Sequence, residues 1–482
     1  MFDLRPVGYV IGLLLVVLGA TMFIPWGVDI IWATGGGGTF AEAGMITVLF
    51  GGSMALASAN SRSPGLNIQQ AFFLTTMSWV ALPLFAALPF WLGAPHASFT
   101  DSFFEAMSGI TTTGSTVFSN LGDLPMGTQL WRGMMQWFGG VGIIVVALAF
   151  LPTLKVGGMQ LFRSEGFDTL GKVLPRAGEI AGSISVVYLI LTVSCILAYS
   201  IVGMDFFDAL VLSFTTISTG GFANTDASFG AFQGTPEYVS SLFMLLASLP
   251  FIRYVQMMRG AAQPLFRDSQ VRAFLATAFG LIMVLTLYRM FINAEHGEES
   301  FREALFNVTS ILSGTGYASV DYQLWGPFPV VLFFMLGLVG GCAGSTCCSI
   351  KIFRFQLLFI SIKQQIKRLH SPNGVFGARY AGRPVDESVI SSVMAFFVMF
   401  FLTLGLLSVA MSLLGYDFIT SVSGAATALA NIGPGLGPEI GPAGNFGGLS
   451  DAAKWLLSLA MLLGRLELIS VLVLFTPGFW RN

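Results

Sequence analysis

The 482-residue chain is poor in charge: 23 Lys and Arg and 25 Asp and Glu make up only 10% of it. A soluble globular domain carries about 25%, so an ordinary water-soluble fold is excluded. The formal net charge of −2 leaves no basic footprint for nucleic acid. Cysteine is scarce: Cys195, Cys342, Cys347 and Cys348, all in apolar surroundings, do not make a disulfide framework. The spacing Cys342-x4-Cys347-Cys348 can be read as half a metal site. No histidine stands near it, however, and small buried thiols in a packed loop are the preferred reading. His96, His296 and His370 are scattered in loops, and Gly35-Gly36-Gly37-Gly38 reads as a loop rather than a phosphate cradle. No phosphate loop, zinc motif or nucleophile elbow stands in a soluble segment, so an enzyme is not expected.

What is abundant is apolar sequence, at 54% of residues, with 45 Phe that suit lipid-facing helices and interfacial anchors. Runs long enough to cross a bilayer lie near 7–25, 42–60, 70–93, 128–151, 181–203, 236–258, 272–293, 327–361 (interrupted), 388–414 and 454–475. The first run is followed by Ile24-Pro25-Trp26 rather than a small-residue cleavage site, so it reads as a retained helix, not a signal peptide. Shorter pieces at 99–112, 205–217, 301–313 and 418–430 cannot span and read as re-entrant half-helices.

Each half-helix leads into a glycine-centred run. These are Thr111-Thr112-Thr113-Gly114, Ser218-Thr219-Gly220-Gly221, Ser313-Gly314-Thr315-Gly316 and Asn431-Ile432-Gly433-Pro434. Anchored on Gly114, Gly220, Gly316 and Gly433, the pattern recurs roughly every hundred residues. Phe99, Asp205, Phe301 and Phe418 then align at the half-helix starts, with Asp101, Asp205 and Glu303 placed to favour the positive dipole ends. Any one run alone can be a helix-capping turn; four in matching contexts predict a ring. Glycine permits the left-handed backbone that an inward-facing carbonyl ring needs, and such a ring can replace the hydration shell of a potassium ion. The candidate ion ligands are Thr112, Thr113, Gly114, Ser218, Thr219, Gly220, Gly314, Thr315, Gly316, Asn431, Ile432 and Gly433. Threonine hydroxyls can add ligands or lock the strands to their neighbours. The half-helices aim their partly negative C-termini at the membrane centre, below the ring.

A second feature interrupts the eighth run. Gly340-Gly341-Cys342-Ala343-Gly344-Ser345-Thr346 does not hold a helix. It reads either as a gating loop across the pore or as a small-residue packing face, and Lys351 and Arg354, which come directly after it, favour the gate. A third is Arg465, midway along the last run, where an intramembrane charge marks a functional site. Glu467 is two residues on and faces away on a helix, so Arg465 is expected to point into the pore or the glycine-rich loop as a fixed positive barrier. The alternative is a buried pair with a carboxylate. Arg253, after Pro250, reads as a snorkelling side chain.

Most of the 23 basic residues fall in segments on one side, from Arg5 and Arg62 through Arg176 and Arg259 to Lys351, Arg368 and Arg481. That bias predicts both termini in the cytoplasm and the half-helices entering from outside. Asp29, Glu42, Glu295, Glu298, Glu299 and Glu439 then lie outside, as an acidic mouth or as ordinary solvated loop charges.

Over its whole length the chain resembles the TrkH membrane subunits of the Trk/Ktr/HKT potassium transporter superfamily. The resemblance rests on Asn431-Ile432-Gly433-Pro434-Gly435, on Gly340 to Thr346 with Ile350-Lys351, on Gly464-Arg465-Leu466-Glu467, and on Phe475-Thr476-Pro477 with Phe479-Trp480-Arg481. The opening helix pair favours TrkH over KtrB. The resemblance implies filter roles for Gly114, Gly220, Gly316 and Gly433, and a gate formed by 340–349 with Arg465. It also implies a homodimer with one pore per subunit, and a cytosolic nucleotide-binding partner of TrkA type. Two departures stand out: Cys347-Cys348-Ser349 replaces the usual glycines after Thr346, and Ala318 follows Tyr317 where glycine is common.

The expectation is an all-α polytopic membrane protein: two leading helices, then four pseudo-symmetric helix–pore-loop–helix repeats around a central pore. The division is 1–68 for the leading pair, then 69–178, 179–270, 271–386 and 387–482 for the repeats. The expected activity is potassium uptake across a bacterial inner membrane through a gated, channel-like pore, with potassium as transported ligand and no organic cofactor. The rivals are a sodium- or proton-coupled symporter on the same fold, and a membrane enzyme or assembly scaffold.

Overall fold

A computed structural model describes residues 3–36, 38–60, 66–149, 177–295, 297–374 and 376–480. The fold is helical; among the described residues the strands form two short two-stranded pairings, Val339–Gly340 with Ile350–Lys351 and Arg379–Tyr380 with Arg383–Pro384. Among the described residues six helical segments are long and apolar enough to cross a bilayer: Arg5–Trp32, Thr39–Ser58, Ile68–Leu92, Ala181–Ile201, Ser269–Ile292 and Glu387–Leu413. The run predicted near 128–151 is the helix Met126–Ala149, its last residues lying outside those described. Arg62 and the basic residues at 155–176 also lie outside them.

The leading pair packs through small residues. A Cβ at Gly12 would stand 2.6 Å from Gly51 O and 2.6 Å from Ala55 N, so the Arg5–Thr21 and Thr39–Ser58 backbones touch. Between two lipid-bathed helices this close approach replaces the missing hydrophobic drive.

Two expected continuous spans are bent instead. Thr235–Ala247 and Phe251–Met258 meet at 90°, and Asp451–Arg465 and Ile469–Phe475 at 105°. Pro250 accounts for the first bend, since it has no N–H to give and its ring collides with the preceding turn. At the second bend Glu467 and Leu468 adopt φ of 63° and 44°. The expected interruption of the eighth span is present: Pro327–Gly337 ends, the chain crosses irregularly, and Ile352–His370 begins.

The half-helices are Phe99–Ile110, Phe206–Ile217, Gly297–Leu312 and Phe418–Ala430. The third starts earlier than expected, which corrects the place given to Glu303. Glu298 and Glu299 occupy the first turn, and Glu303 is buried further along, 2.7 Å from Arg289. Asp417 caps the fourth through the amides of Ile419 and Thr420. All four N-termini therefore carry an acid: Asp101, Asp205, Glu298 with Glu299, and Asp417.

Candidate functional site

Each half-helix ends in the same way. Its last turn closes on a residue in the left-handed region: Thr112, Thr219, Gly314 or Asn431, at φ of 52°, 51°, 73° and 53°. That residue's amide donates three residues back, to Gly109, Thr216, Ile311 and Ala428 O. The next amide donates five residues back: Thr113 to Ser108 O, Gly220 to Thr215 O, Thr315 to Ser310 O and Ile432 to Thr427 O, at 2.8–3.1 Å. This is the Schellman arrangement. The helix-capping turn and the ring strand are thus one structure, because the cap reverses the chain at the half-helix tip and aims the strand leading out of it.

One residue further on, Gly114, Gly221, Gly316 and Gly433 take φ of 89°, 79°, 81° and 109°. Here the register read from the sequence needs correction. Gly221, not Gly220, is the counterpart of Gly114. The four glycines close a ring. A Cβ on Gly114 would lie 2.3 Å from Gly220 O, one on Gly221 1.9 Å from Thr315 O, one on Gly316 1.7 Å from Ile432 O, and one on Gly433 3.0 Å from Thr113 O. Each glycine accommodates the carbonyl that precedes the next repeat's glycine. Real Cβ atoms do not approach so closely, and L side chains avoid this backbone region.

A second feature supports the same register. The third residue after each ring glycine is held by a polar side chain of its own half-helix. Val117 N donates to Glu105 (2.9 Å), Asn224 Nδ2 to Asp208 (2.8 Å), Ser319 N to Asn307 (3.3 Å) and Leu436 N to Ser423 (2.9 Å). The sequence carried a signal for it: Phe206 stands as far before Gly221 as Phe99, Phe301 and Phe418 stand before their glycines.

The hydroxyls act as struts. Thr113 Oγ1 lies 2.7 Å from Thr111 Oγ1 and accepts from Asn431 Nδ2 at 2.9 Å, joining the first and fourth runs. Thr315 Oγ1 pairs with Ser313 Oγ at 2.7 Å, and Thr219 Oγ1 donates to Ser218 O at 2.7 Å. Gln136 bridges Gly220 O and Phe222 N in the second run. Beyond the ring opens a vestibule whose lining includes Gly114, Gly221, Gly316, Gly433, Arg132 and Asp226. None of the acids singled out from the sequence lines it; Glu295 and Glu298 are in ion pairs with Arg289 and Arg302.

Arg132, overlooked in the sequence, ties two repeats together. Its Nε meets Glu105 at 2.8 Å, its Nη1 donates to Ala223 O at 2.8 Å, and Phe222 covers its guanidinium at 4.3 Å. Both charges are fully buried. Removing one partner of such a pair costs about 3–5 kcal/mol, because the other is left uncompensated.

On the opposite face of the ring lies the 340–349 loop, whose residues from Gly340 to Thr346 are all buried. Gly340 pairs in register with Lys351, and Gly341 O accepts from Ile352 N. The loop docks into the Pro250 bend, where carbonyls are released. Cys342 N donates to Ser248 O (3.0 Å), Thr346 Oγ1 to Ala247 O (3.0 Å), and Phe251 N to Gly344 O (3.0 Å). Ala343 N reaches Gln270 Oε1 at 2.9 Å, and Ser345 Oγ turns back to Cys342 O. The far end touches the half-helix tips: Cys347 Sγ approaches Ser313 O, and Ser349 donates to Ala430 O at 3.0 Å.

Arg465 is 2% exposed and faces this loop. Nη2 donates to Gly139 O at 3.0 Å, Nη1 to Thr346 O at 3.4 Å and to Cys348 Sγ, and Trp79 flanks the guanidinium at 5.5 Å. Among the described residues no carboxylate pairs with it. The neighbouring buried ion pair is Arg354 with Glu467. Arg253 does not extend freely; its Nε meets Asp268 at 2.8 Å.

A family model described as TrkH, cation transport protein, matches residues 36–481. The chain belongs to the TrkH family. The family is one of transporters, not enzymes. The Trk system potassium uptake protein TrkI of Halomonas elongata is 49% identical over 415 residues, 86% of this chain and 84% of that protein. The corresponding TrkH of Escherichia coli K12 is 36% identical over 484 residues, 99% of both. The crystal structure of the potassium transporter TrkH from Vibrio parahaemolyticus superposes with a TM-score of 0.92, at 32% identity and full coverage of both chains. The all-helical membrane fold expected from the sequence is the fold of this TrkH family member.

Proposed function

We propose that this chain carries potassium inward across a bacterial inner membrane through a gated pore whose narrowest part is the four-glycine ring. The closed ring of backbone carbonyls carries the reading. Four strands that each present the same carbonyl at the same step can exchange oxygens for the water around a potassium ion. Four half-helix C-termini beside the ring add a negative field where a bare cation is otherwise costly. Thr112, Thr113, Gly114, Ser218, Thr219, Gly220, Gly314, Thr315, Gly316, Asn431, Ile432 and Gly433 form this filter, with Gly221 added. Gly340 to Thr346 form the gate with Arg465, whose guanidinium is the barrier an ion must pass. The similarity to potassium uptake proteins supports the choice of cation.

In this reading the vestibule faces outward, the loop and both termini face the cytoplasm, and the repeats divide at 69–178, 179–270, 271–386 and 387–482 after the 1–68 pair. The subunit works as a homodimer under a TrkA-type nucleotide-binding ring. The test is rubidium flux into liposomes holding the purified protein, with no sodium or proton gradient. Flux under these conditions is the expected outcome. Flux only with an imposed sodium or proton gradient would replace the pore with a coupled symporter. Failure to restore growth of an uptake-deficient bacterium at low potassium would remove the transport reading altogether.

A further inference from the structure

The acceptors around Arg465 are Gly139 O and Thr346 O, which are neutral carbonyls, and Cys348 Sγ. Its Nε is buried without a partner. The other charged groups nearby are engaged elsewhere: Arg354 with Glu467, and Lys351 Nζ with Cys347 O. Among the described residues the sulfur is therefore the one side-chain acceptor bonded to the guanidinium. The two adjacent thiols are not equivalent. Cys347 Sγ turns into the scaffold, 3.1 Å from Ser248 Oγ and against Ser313 O. Cys348 turns toward Arg465, in a cavity that Gly344, Ser345, Arg465 and Glu467 also line.

We propose that Cys348 is the counter-group of the gate arginine. Its sulfur accepts from Nη1, holds the guanidinium in its bond to Gly139 O, and lowers the positive barrier that Arg465 sets beneath the ring. Cys348 is a positioning residue: it acts on the passing cation through Arg465. The proposal rests on the reading of Arg465 as a barrier, and it assigns a purpose to a cysteine pair that stands where the resemblance expects glycine.

The test is a double-mutant cycle on the full-length protein in liposomes, read as rubidium flux. Cys348→Ala should lower flux about tenfold while Arg465 is present, the loss expected when a hydrogen bond to a charged group is removed. Cys348→Ser should retain most of the flux, because its hydroxyl oxygen accepts the same bond. In an Arg465→Ala background, Cys348→Ala should change flux by less than about twofold, since coupled sites are non-additive. Arg465→Gln serves as the uncharged background if Arg465→Ala does not assemble. Equal losses in both backgrounds, or no loss with Arg465 present, would overturn the proposal. Failure of the uncharged background to raise flux would instead overturn the barrier reading, while the cycle still reports whether the two residues are coupled.

Discussion

The ring and the loop beneath it are both glycine-rich, irregular backbone at membrane depth, and they are held in opposite ways. In the ring, four copies of one hydrogen-bond pattern close on each other through backbone carbonyls, and the side chains serve as braces behind it. The loop occurs once. It hangs on carbonyls released by a proline bend, on single side-chain bonds such as Thr346 to Ala247 O, and on a guanidinium with no carboxylate partner among the described residues. Repetition lets a neutral backbone define a fixed opening. A single loop on unequal contacts fits the gate proposed for it, because such contacts can open one by one rather than as one cooperative set.

The sharpest way to break this comparison is to load the ring. Gly316→Ser and Gly221→Ala each put a Cβ within 2 Å of a carbonyl, on backbone that L residues avoid. Strain alone costs about 1–2 kcal/mol, so loss of potassium-over-sodium selectivity, or of assembly, is expected in flux and size-exclusion measurements. Gly220→Ala should be milder, since its Cβ meets the Gln136 side chain rather than backbone and displaces the bridge that Gln136 makes to Gly220 O and Phe222 N. If Gly220→Ala were more damaging than Gly221→Ala, the register that pairs Gly221 with Gly114 would be wrong. A smaller effect is expected in the loop. Thr346→Val removes one bond, worth about 1 kcal/mol, and should alter the rate of flux while selectivity stays unchanged. Altered selectivity would mean that the loop helps shape the ring.

The smallest effect concerns the half-helix caps. Hydrogen bonding by Thr420 and by the Ile419 amide holds the exposed Asp417 carboxyl below its usual range. A carboxyl lowered by folding stabilises at neutral pH, and that contribution fades as pH falls through its folded value. Asp417→Ala should cost about 1 kcal/mol near pH 7 and progressively less in acid, read as thermal unfolding in detergent. The same loss at every pH would assign the cap's effect to packing rather than charge.

Much of this was legible in the order of residues. Half-helices too short to span, each leading into a glycine run, were marked by length and by glycine's freedom at positive φ, both local properties. The broken eighth span was visible for the same reason, through Gly337, Gly340, Gly341 and Gly344 in a short run. The places where local reading failed are equally specific. In Gly220-Gly221 both residues can adopt a left-handed backbone; the spacing from Phe206 hints at Gly221, and the approach of Thr315 O decides it. The bend at Glu467 carries no proline, so nothing in the local sequence marked it. Arg132 carries no local signal because its partner Glu105 sits on another helix.

The sequence by itself determined that the chain lives in a membrane, that its unit is a half-helix with a glycine turn, and that the unit recurs four times. These properties come from hydropathy, segment length and backbone freedom, which depend on neighbours along the chain. Only the tertiary structure decided which glycine of each run closes the ring, which thiol faces Arg465, and which charges are paired. Those outcomes depend on atoms far apart along the chain, from 27 residues for Glu105 and Arg132 to 117 for Cys348 and Arg465, being brought within hydrogen-bond distance.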